Sequence, residues 1–358
     1  MSDQTIYREE ARRIQPIWGD QLHAAMGANP IAVICLGYFL IGGLFLAATG
    51  DNPLDMLLGI GGSFMLFLQL ATKMFPWWIY ALAALPVVIV PGLRQRIWEQ
   101  KLQGVAAIVY CTLFVMVFGN IKNSLPGLVP FWADPMFTRM DEVLHFGHTP
   151  HELLGWLSGL NLKSLSGLYM NLWVFPATYL PMLLIVFDGN AARRRQFIIL
   201  WACAWILLGN IIALAFMSTG PIFQDLLPGG LVGSHMSALE MLERPDAQGL
   251  IAVKHHLWAS YMDASNVVGS GISAFPSVHV GMATVLGLYI ARIGHDGAKT
   301  MRLAGARRVL RHGSALAGMA IIGVFLVLSV YLGWHFAVDG YASILVICGI
   351  YAWLTRQG

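Results

Sequence analysis

Charge is scarce in this chain. Lys and Arg number 22 and Asp and Glu 19 among 358 residues, 11% in all, where a soluble domain carries about a quarter. With 57% of residues hydrophobic, that shortage excludes a soluble globular protein and points to a polytopic membrane protein. A net charge of +3 is too small to attract nucleic acid, so no nucleic-acid partner is expected. Cysteine is also sparse: Cys35, Cys111, Cys203 and Cys348 lie inside apolar runs without C-x-x-C spacing, which argues against both zinc and disulfides. Internal repeats, heptads and low-complexity tracts are missing, as is the short apolar core and cleavage site of a signal peptide.

What is present is a series of apolar runs. They fall near 30–49, 53–72, 77–93, 104–120, 165–187, 197–217, 274–293, 314–334 and 337–354, so the expectation is an all-α integral membrane protein with about nine transmembrane helices. Basic residues gather in three loops, at Arg94 to Lys101, at Arg193 to Arg195 and at Arg292 to Arg311. The bias of Lys and Arg toward the cytoplasm puts those loops inside, and the long connections 121–164 and 218–273 outside. Nine spans would also put Arg8, Arg12 and Arg13 outside, against that bias. Residues 3–26 read as an amphipathic arm on the interface, with Ile14, Ile17, Trp18 and Leu22 toward lipid. The segment 121–164 includes a Pro-rich apolar piece, Leu125 to Trp132, too short to span, and reads as interfacial or re-entrant. Accordingly the chain divides into an arm with accessory helices at 1–103 and a membrane domain at 104–358.

Two stretches carry ionisable groups at the edge of apolar runs: Gly271 to Gly281, G-I-S-A-F-P-S-V-H-V-G, and Tyr331 to Ser343, Y-L-G-W-H-F-A-V-D-G-Y-A-S. Charge at membrane depth is costly, so function is the default reading. If Gly333 opens a helix, His335 and Asp339 share a face at i, i+4 and the carboxylate can orient the imidazole. His279 follows Pro276 and Ser277, where a helix N-terminus would present free N–H groups to an anion. Ser277 with the backbone of 276–280, up to Gly281, is the expected phosphate cradle, with Ser277 doubling as an N-cap. Two histidines, a carboxylate and an anion cradle point to phosphoryl transfer through a phosphohistidine, with no metal or other cofactor required.

F-P-S-V-H and H-F-A-V-D resemble the second and third signatures of the type 2 phosphatidic acid phosphatase superfamily. The wording is closer to the branch of inositol phosphorylceramide synthases and their bacterial relatives, the inositolphosphotransferase-like branch, whose upstream segment M-D-E-V-L-H-F-G at Met140 to Gly147 is similar to. The resemblance covers roughly the C-terminal two thirds. It implies a six-helix catalytic bundle in which His335 is the nucleophile, Asp339 orients it and His279 is the proton donor. It also implies a lipid phosphate donor, a polyol acceptor such as inositol, and a bacterial inner membrane, while the alternation of basic loops puts the site on the extracytoplasmic face. Lipid phosphatase activity toward polyprenyl or glycerolipid phosphate, with water as acceptor, is the alternative. A transporter is a distant one, because the ionisable residues gather at one face instead of mid-span.

The chain departs from the wider superfamily where phosphate-binding cations belong. Near the end of the sixth run it reads A-L-A-F-M-S-T-G-P instead of K-x6-R-P, and Ser329 stands where the third signature has Arg. Candidate replacements are Lys254, His255, His256, Arg244, Arg139 and Lys122, with the Lys254 to His256 cluster preferred. Trp334, beside His335, is expected to line the lipid path, and the other Trp residues read as an interfacial belt. Asp141, Glu142, His145, His148, His151 and Glu152 are ligand-type side chains. Gly147 and Pro150 break their spacing, so headgroup docking or interfacial packing is favoured over a metal site.

Overall fold

The structure, a computed structural model, describes residues 29–50, 87–263 and 271–357, with isolated positions at Met26, Asn52, Met65, Ala81, Ala84 and Leu85. Apart from those isolated positions, the expected arm at 3–26 and the expected run at 53–72 lie outside the described residues, as does the first part of the run at 77–93. All regular elements among the described residues are helical. The longer ones are α1 (Pro30–Thr49), α2 (Pro91–Glu99), α3 (Lys101–Leu128), α4 (Asp134–Leu144), α5 (Leu162–Phe187), α6 (Ala191–Ala215), α7 (Gln248–Met262), α8 (Val278–Thr300), α9 (Ala304–Tyr331) and α10 (Ala337–Gln357).

Six of them, α1, α3, α5, α6, α9 and α10, are long and apolar enough to cross a membrane. The 23-residue α8 matches them in length, but its second half carries Arg292, His295, Asp296 and Lys299. It lies against α9 and α10. At the α8–α9 crossing a methyl group on Gly287 would stand 2.6 Å from the Gly318 carbonyl, so the two backbones touch, as small residues permit between membrane helices.

One proline of α5 is compensated by side chains from a neighbouring helix. Pro181 in α5 has no N–H for the Ala177 carbonyl one turn back. That oxygen instead accepts Trp201 Nε1–H at 2.6 Å and Trp205 Nε1–H at 3.2 Å from α6, and α5 bends at Tyr179. Such repair is what a helix interruption needs inside a membrane. Pro126 did not break α3: Ile121 and Leu125 are buried in the core and hold the last turn, which runs to Leu128. The Leu125 to Trp132 piece is therefore not a separate re-entrant element, because its first half completes α3.

Basic residues collect at one end of the bundle. Arg193 bonds Asp188 at 2.6 Å and Asp296 at 2.9 Å, Arg292 bonds Asp296 at 3.0 Å, and Arg96 donates to the Val186 carbonyl at 2.9 Å. From Asp296 back to His279, α8 rises about 25 Å, so the histidine lies at the opposite end.

Candidate functional site

The start of α10 is where the site is made. Gly333 has φ +75, a left-handed turn that ends α9, and the helix opens at Ala337 instead of at Gly333. His335 therefore precedes the helix while Asp339 sits in its first turn. Asp339 Oδ2 accepts the Phe336 N–H at 3.0 Å, and Asp141 of α4 accepts those of Ala337 at 2.8 Å and Val338 at 3.0 Å. Three N–H groups that a helix start leaves unpaired are thus held by two buried carboxylates.

His335 Nδ1 lies 2.7 Å from the Ala274 carbonyl and 3.2 Å from Asp339 Oδ2. Both neighbours are acceptors, so Nδ1 must carry the proton and Nε2 keeps its lone pair. Burial, with the Lys122 ammonium adding to it, pushes this imidazole down to about 3, so the ring is neutral across ordinary pH. A neutral imidazole with one free nitrogen is the form that can attack phosphorus.

His279, in the first turn of α8, faces it with ring centroids 6.1 Å apart, a gap that a tetrahedral phosphoryl group can bridge. Its ring is stacked on Trp173 at 3.9 Å and on Tyr169 at 4.5 Å, both from α5, and its buried Nε2 has no partner among the described residues. The aromatic faces fix the ring, while burial, with His335 and Lys122 adding to it, holds its pKa well below the usual imidazole value. Both histidines line a cavity of about 550 Å³, whose wall is mostly apolar and includes Phe118, Met170, Val174 and Leu257. Trp334 lines it too, with a buried Nε1 lacking a partner among the described residues.

The loop after α6 is held by Asp134. This buried carboxylate accepts the N–H groups of Thr219 and Gly220, the hydroxyl of Ser218 and the Gln224 amide, all within 3.2 Å. Gly220 (φ +90) presses on the Trp334 carbonyl, where a methyl group would stand at 2.5 Å. Only glycine satisfies both conditions.

His335, His279, Trp334 and His256 share the cavity wall, and Asp339 bonds His335 without lining it. Ser277 caps α8, accepting Val280 N–H at 3.3 Å, but its side chain does not line the cavity. Gly281 is a packing position, where a methyl group would meet Leu208 at 2.5 Å. Lys254, the preferred cation, is instead consumed by Asp225 at 2.6 and 2.7 Å, and His255 is exposed and away from the cavity wall. Arg244 is tied to Asp246, Ser158 and Leu160, and exposed Arg139 pairs with Glu142.

The ligand-type side chains of 141–152 also have separate structural tasks. His145 bonds Tyr341, His151 bonds Ser237 and stacks on Tyr331, and Glu152 completes a capping box with Thr149. Trp173 was read as part of an interfacial belt, yet it carries the His279 ring. The i, i+4 spacing of Tyr169 and Trp173 in a helix facing the P-S-V-H stretch was the available signal. Comparison with protein families, with curated proteins and with solved structures returned no match.

Proposed function

We propose that this multi-pass membrane protein is a phosphotransferase. It takes a phosphoryl or phosphoryl-headgroup unit from a lipid donor onto His335 Nε2 and passes it to an alcohol such as inositol or another polyol. The observation that carries this reading is the fixed tautomer of His335, with Nδ1 spent on Ala274 and Asp339, opposite the unpartnered Nε2 of His279.

In the first step the Nε2 lone pair forms a bond to phosphorus as the bond from phosphorus to the lipid oxygen breaks. His279, which holds a proton once the donor's phosphate anion lies beside it, gives that proton to the departing oxygen. The charge that develops on the His335 ring is offset by Asp339 and the Ala274 carbonyl. In the second step neutral His279 removes the acceptor's hydroxyl proton, the oxygen bonds to phosphorus, and the N–P bond breaks. Both histidines return to their starting forms.

The apolar cavity wall supports a lipid donor. Absence of the superfamily's cations at the α6 end and at Ser329 supports headgroup transfer over hydrolysis of a dianionic phosphate. The basic cluster at the far end of the bundle supports an extracytoplasmic site by the Lys and Arg bias. An assay with purified protein in detergent, labelled phospholipids and polyprenyl phosphates, with and without free inositol, tests the reading beside His335→Ala. A new product that requires inositol and His335 upholds transfer. Phosphate release that ignores the acceptor replaces it with a phosphatase, and equal turnover in His335→Ala removes the mechanism.

A further inference from the structure

We propose that Lys122, near the C-terminal end of α3, is the cation that binds the phosphate in this site. The inference rests on the reading of the cavity as a phosphoryl-transfer site and adds the group that reading lacks.

Lys122 is the one Lys or Arg among the described residues of the cavity wall, which it shares with His279 and His335. Three other cations near this end are engaged: Lys254 by Asp225, Arg244 by Asp246 and two carbonyls, Arg139 by Glu142. The Lys122 ammonium makes a single long hydrogen bond among the described residues, to the Ser273 carbonyl at 3.4 Å, and it faces no carboxylate there. An ammonium has three N–H donors, and leaving them mostly unspent in a half-buried position is unfavourable until an anion arrives.

The surrounding backbone holds the stem in place. A methyl group on Gly271 would stand 2.8 Å from Lys122 Cγ and 2.9 Å from its carbonyl carbon, so the 271–274 stretch lies directly on the lysine. That same stretch supplies the Ala274 carbonyl that sets the His335 tautomer. Cation and nucleophile are therefore registered by one segment. A single ammonium matches the one negative charge of a phosphodiester, whereas a phosphomonoester dianion would leave a charge uncompensated.

Orthovanadate, a phosphate mimic, is the probe. Its binding is read from the fluorescence of the cavity tryptophans in wild type, Lys122→Gln, Lys122→Arg and His335→Ala, each first shown by thermal melting to be folded. Glutamine keeps a donor for Ser273 but no charge, so a merely structural lysine tolerates it. The proposal expects Lys122→Gln to bind about tenfold more weakly or worse and Lys122→Arg to stay within about threefold of wild type. Weakened binding in His335→Ala with unchanged binding in Lys122→Gln overturns the role of Lys122 and leaves the transfer reading standing. Binding that is absent in wild type, or indifferent to both residues, overturns the reading itself. If Lys122→Gln does not fold, the arginine variant decides: loss of binding in a folded Lys122→Arg protein contradicts the proposal, and retention upholds it.

Discussion

The carboxylate of Asp141 accepts the Ala337 N–H at 2.8 Å, across 196 residues of sequence. It takes the next N–H, of Val338, as well. The start of the helix that carries Asp339 is therefore set by α4 together with the local cap from Asp339 itself. Asp141→Ala strands two buried N–H groups, and the expected loss is about 1–3 kcal/mol of stability with a matching loss of turnover. Asp141→Asn, which keeps one acceptor, loses less. Thermal melts in detergent beside kinetics check the order; equal melting of Asp141→Ala and wild type contradicts it.

Asp339→Asn keeps an acceptor for Phe336 N–H but removes the negative charge beside the His335 ring. The fold should survive, with melting within a few degrees of wild type, while kcat falls about 100-fold or more. Retention of half the activity would show that Asp339 serves only to start α10.

His279 acts on the leaving group, so its importance should depend on that group. His279→Ala should lose about 10²–10⁴ in rate with an alkyl leaving group and far less with nitrophenolate, which departs without a proton. Equal losses on both donors would assign His279 to binding instead of proton transfer.

At the other end of the bundle, burial raises the pKa of Asp188, but its bonds to Arg193 outweigh that and hold it below the ordinary carboxylate value. A depressed folded pKa gives stability that is complete above the unfolded value, near 3.9, and lost as pH falls through the folded one. Wild type should therefore lose melting temperature on acidification below about pH 4. Arg193→Met should melt lower at neutral pH and lose less on acidification. Parallel pH profiles for the two proteins would exclude this ion pair as the source.

Much of this site was legible locally. The i, i+4 spacing of His335 and Asp339, and a histidine two residues past Ser277, describe contacts made within one or two turns. What was not legible depends on distant partners. Lys254 looked free because Asp225, which neutralises it, stands 29 residues away with no helical register between them. Asp141 looked like a headgroup or metal ligand because its partners are backbone N–H groups, which no residue type announces. The helix start was misplaced at Gly333 for a related reason: the glycine is needed for a turn at φ +75, and capping begins at Phe336. Lys122 was one cation among six until the cavity wall separated it from the rest.

The proposed transfer turns on a covalent bond between phosphorus and His335. Rapid quench of the purified protein with a lipid donor labelled in its phosphate, followed by peptide mapping at alkaline pH where phosphohistidine survives, tests it most directly. Acid-labile label is expected on the peptide containing His335, absent from His335→Ala and accumulating in His279→Ala with a nitrophenyl donor, because breakdown then lacks its base. Turnover of the lipid donor with no label on His335, or label on another residue, would contradict it.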